Sequence, residues 1–109
     1  MTLDDYQKQA LTTAIYHSKK DNLLHWTLGL CGESGEVAEK FKKWIRDNNS
    51  DMAALDTEDL AKELGDVLWY VAVLADELGF SLDQVAEHNV AKLASRHKRN
   101  KITGSGDNR

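Results

Sequence analysis

The chain has 109 residues, no proline, one cysteine (Cys31) and a formal net charge of −4, a length that predicts one domain with a small core. The negative charge argues against general nucleic-acid binding, and no apolar run reaches the roughly 20 residues of a membrane span. The single cysteine excludes an internal disulfide and the first residues lack the pattern of a signal peptide, so we expect a cytoplasmic protein.

A helical period in the apolar residues predicts helices along nearly the whole chain. The first predicted helix runs from about Leu3 to Lys19 and is broken by Asp21-Asn22. The second begins between Leu24 and Leu30 and ends near Arg46, before the polar run at 47–50. The inward-facing residues expected on the first helix are Tyr6, Ala10, Thr13, Ala14 and either His17 or Ile15.

Capping signals define the other two helices. After a short turn at 52–55, Asp56 or Thr57 is a good N-cap for a third helix that runs to Leu78 and stops at Gly79. Ser81 and Gln84 form a capping box for a fourth helix, which extends to about Lys98. The fold class predicted is all-α, a four-helix bundle.

The end of the chain differs from the rest in composition. We expect one all-α domain at 1–102 and a flexible glycine-rich tail at 103–109. Small, polar residues are typical of a disordered end, but the same tail could close over a substrate.

Two acidic pairs, Glu33-x-x-Glu36 and Glu63-x-x-Asp66, have the same helical phase on the second and third helices. At about 100° per residue, each first acid lies near 300° from the start of the apolar stripe and each second acid near 240°. Facing helices would therefore bring four carboxylates together at the edge of the core. Oxygen ligands suit Mg²⁺ or Mn²⁺ rather than zinc, although acidic pairs are often only solvated surface.

Two glycines strengthen the metal-site interpretation. Gly35 and Gly65 each precede the second acid of a pair, inside helices that would prefer alanine by about 1 kcal/mol. Close approach of a backbone or a ligand would explain them. By contrast, Glu39 falls near 180° from the stripe and is expected to face solvent.

Further along the chain, candidate substrate-binding residues lie on two helices. Asn89, Lys92 and Arg96 form one strip of the fourth helix, suited to a ribose and to phosphate oxygens, unless the two basic residues simply extend from the core border into solvent. His25 and Trp26 could stack on a base, with core packing as the alternative for Trp26.

Three segments resemble the MazG-like nucleotide pyrophosphohydrolases of the all-α NTP pyrophosphatase superfamily: Gly29–Lys43, Lys62–Val71 and Asn89–Arg96. The resemblance covers about Leu24 to Arg96, and the Gly104–Arg109 end is similar to one branch of the group. Gly32 departs from the pattern, because many members carry another glutamate there, which leaves four carboxylates rather than five.

The resemblance implies Mg²⁺-dependent hydrolysis of a nucleoside triphosphate, ribo or deoxy, to the monophosphate and pyrophosphate, in nucleotide-pool control. The implied catalytic and metal-binding residues are Glu33, Glu36, Glu63 and Asp66, and the implied substrate-binding residues are Asn89, Lys92 and Arg96. His25 and Trp26 are added as candidates for the base from the stacking argument above. The implied assembly is a homodimer or homotetramer, and the charge and the apolar pattern predict no stable nucleic-acid partner and no membrane. The alternatives are a phosphoribosyl-ATP pyrophosphohydrolase and a non-catalytic helical interaction module.

Overall fold

A computed structural model describes residues 1–109 and contains four α-helices and no strand. The helices are α1 (Leu3–Leu11), α2 (Lys19–Asn48), α3 (Thr57–Glu77) and α4 (Leu82–Lys98), with a short 3₁₀ turn at Met52–Ala54. The predicted all-α class is confirmed. None of these helices combines the length and the apolar character that crossing a bilayer would need.

The long helices α2 and α3 form the antiparallel pair on which the candidate site is built. The chain reverses between them at Asn49, which ends α2 in the left-handed region at φ 52°. Trp44 then donates its indole N–H to the carbonyl of Asp51 at 2.7 Å. Asp56 caps α3 by accepting a hydrogen bond from the backbone of Asp59, as one of the two predicted caps. These contacts close the turn between the two helices.

The first helix is shorter than predicted, and the prediction that it continues to Lys19 is wrong. Thr12 and Thr13 follow its end, and their hydroxyls donate to the carbonyls of Gln9 and Ala10, a local bonding that competes with helix continuation. Ser18 then caps α2, so the second helix begins earlier than expected.

The residues expected to break the first helix instead open the second. Asp21 lies in the first turn of α2, and buried Asn22 accepts a hydrogen bond from the backbone of His17 at 2.8 Å. Ile15 and His17, expected as alternatives for an inward position, are both exposed. Asp21 and Asn22 therefore belong to the start of α2, where Asn22 also holds the preceding loop.

A small core lies where α1 and α4 pack on the C-terminal half of α3. Its fully buried members are Ala10, Ala72, Ala75 and Leu82. The buried amide of Gln7 joins these elements, because it donates to the carbonyls of Ala72 and Phe80 and accepts from the backbone N–H of Leu82 at 3.2 Å. A buried amide with three partners fixes the angle at which α4 leaves α3.

Large parts of the apolar stripes remain uncovered in the single chain. The radius of gyration is 16.9 Å, whereas a compact domain of this length has about 13 Å. Ile45 on α2 and Leu64 on α3 are each 58% exposed. The chain alone therefore does not bury the surface that its sequence pattern assigns to a core.

Candidate metal centre

Three of the four predicted carboxylates come together between α2 and α3. One oxygen each from Glu33, Glu63 and Asp66 lies within 4.8 Å of the others. Glu33 and Glu63 are half-buried and Asp66 is exposed, so the group opens to solvent on one side. Oxygen ligands about 2.1 Å from Mg²⁺ stand at most about 4.2 Å apart, which small side-chain rotations would achieve. The three residues fit a hard divalent cation.

The electrostatics of this acidic triad (Glu33, Glu63 and Asp66) also favour a cation. The pKa of Glu33 is raised above its ordinary value, first by loss of solvation and then by the negative charges of Asp66 and Glu63. Carboxylates that oppose one another's ionisation gain stability when positive charge enters between them.

The fourth predicted carboxylate, Glu36, lies outside the triad. It is exposed on α2 one turn beyond Glu33, and its charge contributes to the raised pKa of Glu33. Glu39, expected on the solvent face, is half-buried but also outside the triad, and its carboxylate pairs with Lys42 on the same helix at 2.9 Å. Helical phase alone did not separate Glu36 from Glu33.

A lysine that the sequence analysis missed contacts the triad. The ammonium of Lys40 lies 3.1 Å from Oε1 of Glu63 and also pairs with Asp59, one turn earlier on α3. Hydrogen bonds to Asp59 and then Glu63 raise the pKa of Lys40. The available signal was spacing, because Lys40 follows Glu33 by seven residues, or two helical turns, and so shares its face.

The glycines of the acidic motifs are not closely packed within the chain. No heavy atom of the chain lies within 4 Å of a Cβ placed on Gly35 or Gly65, so the predicted close approach is not made by this chain's own backbone. Close packing occurs instead at Gly29, where a Cβ would lie 2.1 Å from the ring of Tyr70. Gly29 therefore sets the spacing of α2 and α3, whereas the other two leave open space beside the acids.

A cavity of about 200 Å³ lies between the C-terminal end of α2 and the start of α3. Lys40 and Asp59 line the cavity on the side of the triad. The apolar part of its wall is formed by Trp44, Leu55 and Leu60. The Lys40 ion pairs thus separate the acidic triad from this cavity.

The predicted phosphate-binding residues already contact an anionic group. Lys92 Nζ lies 2.7 Å from Oδ1 of Asp107, and the buried guanidinium of Arg96 donates to the carbonyl of Asp107 and approaches Oδ1 at 3.3 Å. Hydrogen bonds from Lys92 and Arg96 lower the pKa of Asp107. Exposed Asn89 shares a cavity of about 380 Å³ with Lys92 and Asp107. The tail therefore folds back on α4.

Of the two aromatic candidates for base stacking, only His25 is accessible. Trp26 is 2% exposed, its indole N–H donates to Glu77 at 3.2 Å, and its ring meets Trp69 edge-on. This burial corrects the stacking prediction for Trp26 in favour of packing, because an open ring face is absent. Exposed His25 stacks on His17, with ring centroids 6.2 Å apart.

Comparisons with known proteins identify the family of the chain. The family model described as "MazG nucleotide pyrophosphohydrolase domain" matches residues 19–100, which contain the triad and the basic strip of α4. The "Gene 37 protein" of Mycobacterium phage L5 is 46% identical over 114 residues, with 100% of each chain covered. No solved structure matches the chain.

Proposed function

Because the chain belongs to the MazG nucleotide pyrophosphohydrolase domain family, we propose that it hydrolyses a nucleoside triphosphate, ribo or deoxy, to the monophosphate and pyrophosphate. The observation that carries this proposal is the convergence of Glu33, Glu63 and Asp66 within 4.8 Å. The proposed metal of the protein is Mg²⁺, with Mn²⁺ as a substitute. The proposed role of the protein is control of a cytoplasmic nucleotide pool.

Each carboxylate has a role in the proposed reaction. Glu33, Glu63 and Asp66 would hold the divalent cation, which would neutralise charge on the triphosphate and lower the pKa of a water molecule. Glu36 lies outside the triad and forms no ion pair, so its carboxylate oxygen is free to accept the proton that the attacking water loses. This division uses all four predicted acids.

The substrate contacts are assigned to basic and polar residues outside the triad. Lys92 and Arg96 bind phosphate oxygens after the carboxylate of Asp107 leaves them. Asn89 contacts the sugar, and exposed His25 stacks on the base. The exposed apolar stripes support a homodimer or homotetramer as the working form.

The proposal is tested by pyrophosphate release from each common nucleoside triphosphate with Mg²⁺, with phosphoribosyl-ATP as a further substrate. Glu63→Gln keeps the shape of the side chain but removes a ligand charge, so turnover should fall at least roughly a hundredfold. The Mg²⁺-induced rise in melting temperature should also disappear. Glu39→Gln, which alters an acid outside the triad, is the matched control.

Two results would contradict the assignment. If Glu63→Gln were active and Glu39→Gln inactive, the triad would have no role in the reaction. Activity on phosphoribosyl-ATP with none on any nucleoside triphosphate would show that phosphoribosyl-ATP is the substrate instead.

A further inference from the structure

Lys40 is the cation that the structure places among the acids of the α2–α3 interface. Three carboxylates form the triad, Asp59 adds a fourth negative charge one turn from Glu63, and Lys40 contacts both of these α3 residues. The other lysines nearby differ: Lys42 pairs with Glu39 away from the triad, and Lys43 lines the adjacent cavity.

Glu63 consequently has contacts on two sides. Its Oε1 lies 3.1 Å from Lys40, while a carboxylate oxygen of the same residue lies within 4.8 Å of Glu33 and Asp66. A carboxylate can accept hydrogen bonds at about four lone-pair positions, so the contact with Lys40 leaves acceptor capacity for a metal ion. Both side chains are only partly exposed, which limits screening of this pair by solvent.

We propose that Lys40 is a positioning residue for the metal centre: its ammonium orients Glu63 and offsets the charge of the acid cluster while no divalent cation is bound. This inference rests on the proposed function, since it requires that the triad binds metal. It assigns Lys40 an action through Glu63, with no contact to the substrate. Loss of a group that orients a ligating carboxylate commonly lowers activity, whereas loss of a neighbouring positive charge favours the entry of a cation.

The charge argument predicts that replacing Lys40 lowers the stability of the metal-free protein and enlarges the stabilisation that a divalent cation adds. Without Lys40, no positive charge offsets the repulsion among the acid cluster (Glu33, Asp59, Glu63 and Asp66), so the metal-free protein becomes less stable. A divalent cation then relieves more repulsion than in the unmodified protein, so its stabilising effect becomes larger. An ordinary ion pair with only a structural role would lower stability equally in both conditions.

The experiment compares Lys40→Met, Lys40→Arg and Lys42→Met with the unmodified full-length chain. Melting temperatures are measured in EDTA and in Mg²⁺, and Mn²⁺ affinity is measured by electron paramagnetic resonance. For Lys40→Met we expect a fall of about 5 °C in EDTA, a larger Mg²⁺-induced shift and tighter Mn²⁺ binding. Turnover should fall about tenfold because Glu63 is no longer oriented.

The other variants separate charge from side-chain identity. Lys40→Arg keeps the positive charge and should restore the metal-free melting temperature, whereas Lys42→Met should behave like the unmodified protein in every measurement. A Mg²⁺-induced shift in Lys40→Met equal to that of the unmodified protein would overturn the inference. Absence of any metal-induced shift in the unmodified protein would instead overturn the proposed function.

Discussion

Single residues connect distant parts of this chain, and Glu77 is the strongest example. Its carboxylate pairs with Lys19 at 3.0 Å and accepts the indole N–H of Trp26 at 3.2 Å, so the end of α3 is tied to the start of α2. Burial raises the pKa of Glu77, but the hydrogen bonds from Lys19 and Trp26 outweigh it and hold the pKa below its ordinary value.

Glu77→Gln should therefore reduce stability in a pH-dependent manner. A carboxyl whose pKa is lowered by folding contributes stability above its unfolded value, near 4.5, and loses it as the pH falls through the folded value. The free energy of unfolding should fall by about 1–2 kcal/mol at pH 7, and the difference from the unmodified protein should shrink as the pH falls below the unfolded value.

Urea unfolding at pH 7, 5 and 3.5 measures this difference. Glu87→Gln, at an exposed position of α4, is the control and should leave the stability nearly unchanged. A difference for Glu77→Gln that stays constant across the three pH values would contradict the assigned ion pair.

Asp107 occupies the two basic residues that the proposed function assigns to substrate phosphates. Asp107→Asn removes the competing charge, so the KM for the nucleotide should fall. Because the Asp107 side chain is exposed, solvent screens its charge and the change should be at most about fivefold. Steady-state pyrophosphate release measures KM and kcat, with Asp47→Asn on the exposed end of α2 as the control. An increased KM would show that Asp107 assists binding.

At the scale of elements, the crossing of α2 and α3 depends on Gly29. A Cβ at Gly29 would lie 2.1 Å from the Tyr70 ring, whereas a Cβ at Gly32 has no neighbour within 4 Å. Gly29→Ala should lower the free energy of unfolding by about 1–3 kcal/mol, because the ring or the helix must move. Gly32→Ala, one turn away, should raise it by up to about 1 kcal/mol through helix propensity.

Thermal unfolding of the two alanine variants in EDTA checks this difference. Equal stability of both variants would show that the α2–α3 distance adjusts without cost. A loss of stability in Gly32→Ala would indicate that another copy of the chain packs against that position.

At the scale of the whole molecule, exposed apolar surface predicts self-association. Leu24 and Leu28 are one turn apart on α2 and are 54% and 70% exposed, and the chain is wider than a compact domain of its length. Sedimentation at micromolar concentration should therefore give a species of at least twice 12.2 kDa. Leu28→Glu should shift it toward the monomer, because a charge in a covered apolar surface is costly.

Met52→Glu is the matched control for this experiment. Met52 is 71% exposed, close to the value for Leu28, but lies on the short 3₁₀ turn away from the apolar stripes. A monomer of the unmodified protein, or equal dissociation by both variants, would contradict the prediction.

The sequence by itself determined the helical class, the third and fourth helices and the shared phase of the acidic pairs. Those properties are local: the helical period, the caps at Asp56 and Ser81 and the spacing of each pair are all encoded within a few consecutive turns. The end of α1 was mispredicted because threonine hydroxyls competed with the helix, although its apolar period continued.

Only the tertiary structure decided which residues meet. It brought Lys40 to Glu63, left Glu36 outside the triad and buried Trp26 against Glu77. Helical phase places a side chain on a face within some tens of degrees, but a contact also depends on the crossing of two helices. Here that crossing is set by contacts between residues far apart in sequence, such as Gly29 against Tyr70. A local sequence pattern does not contain such contacts.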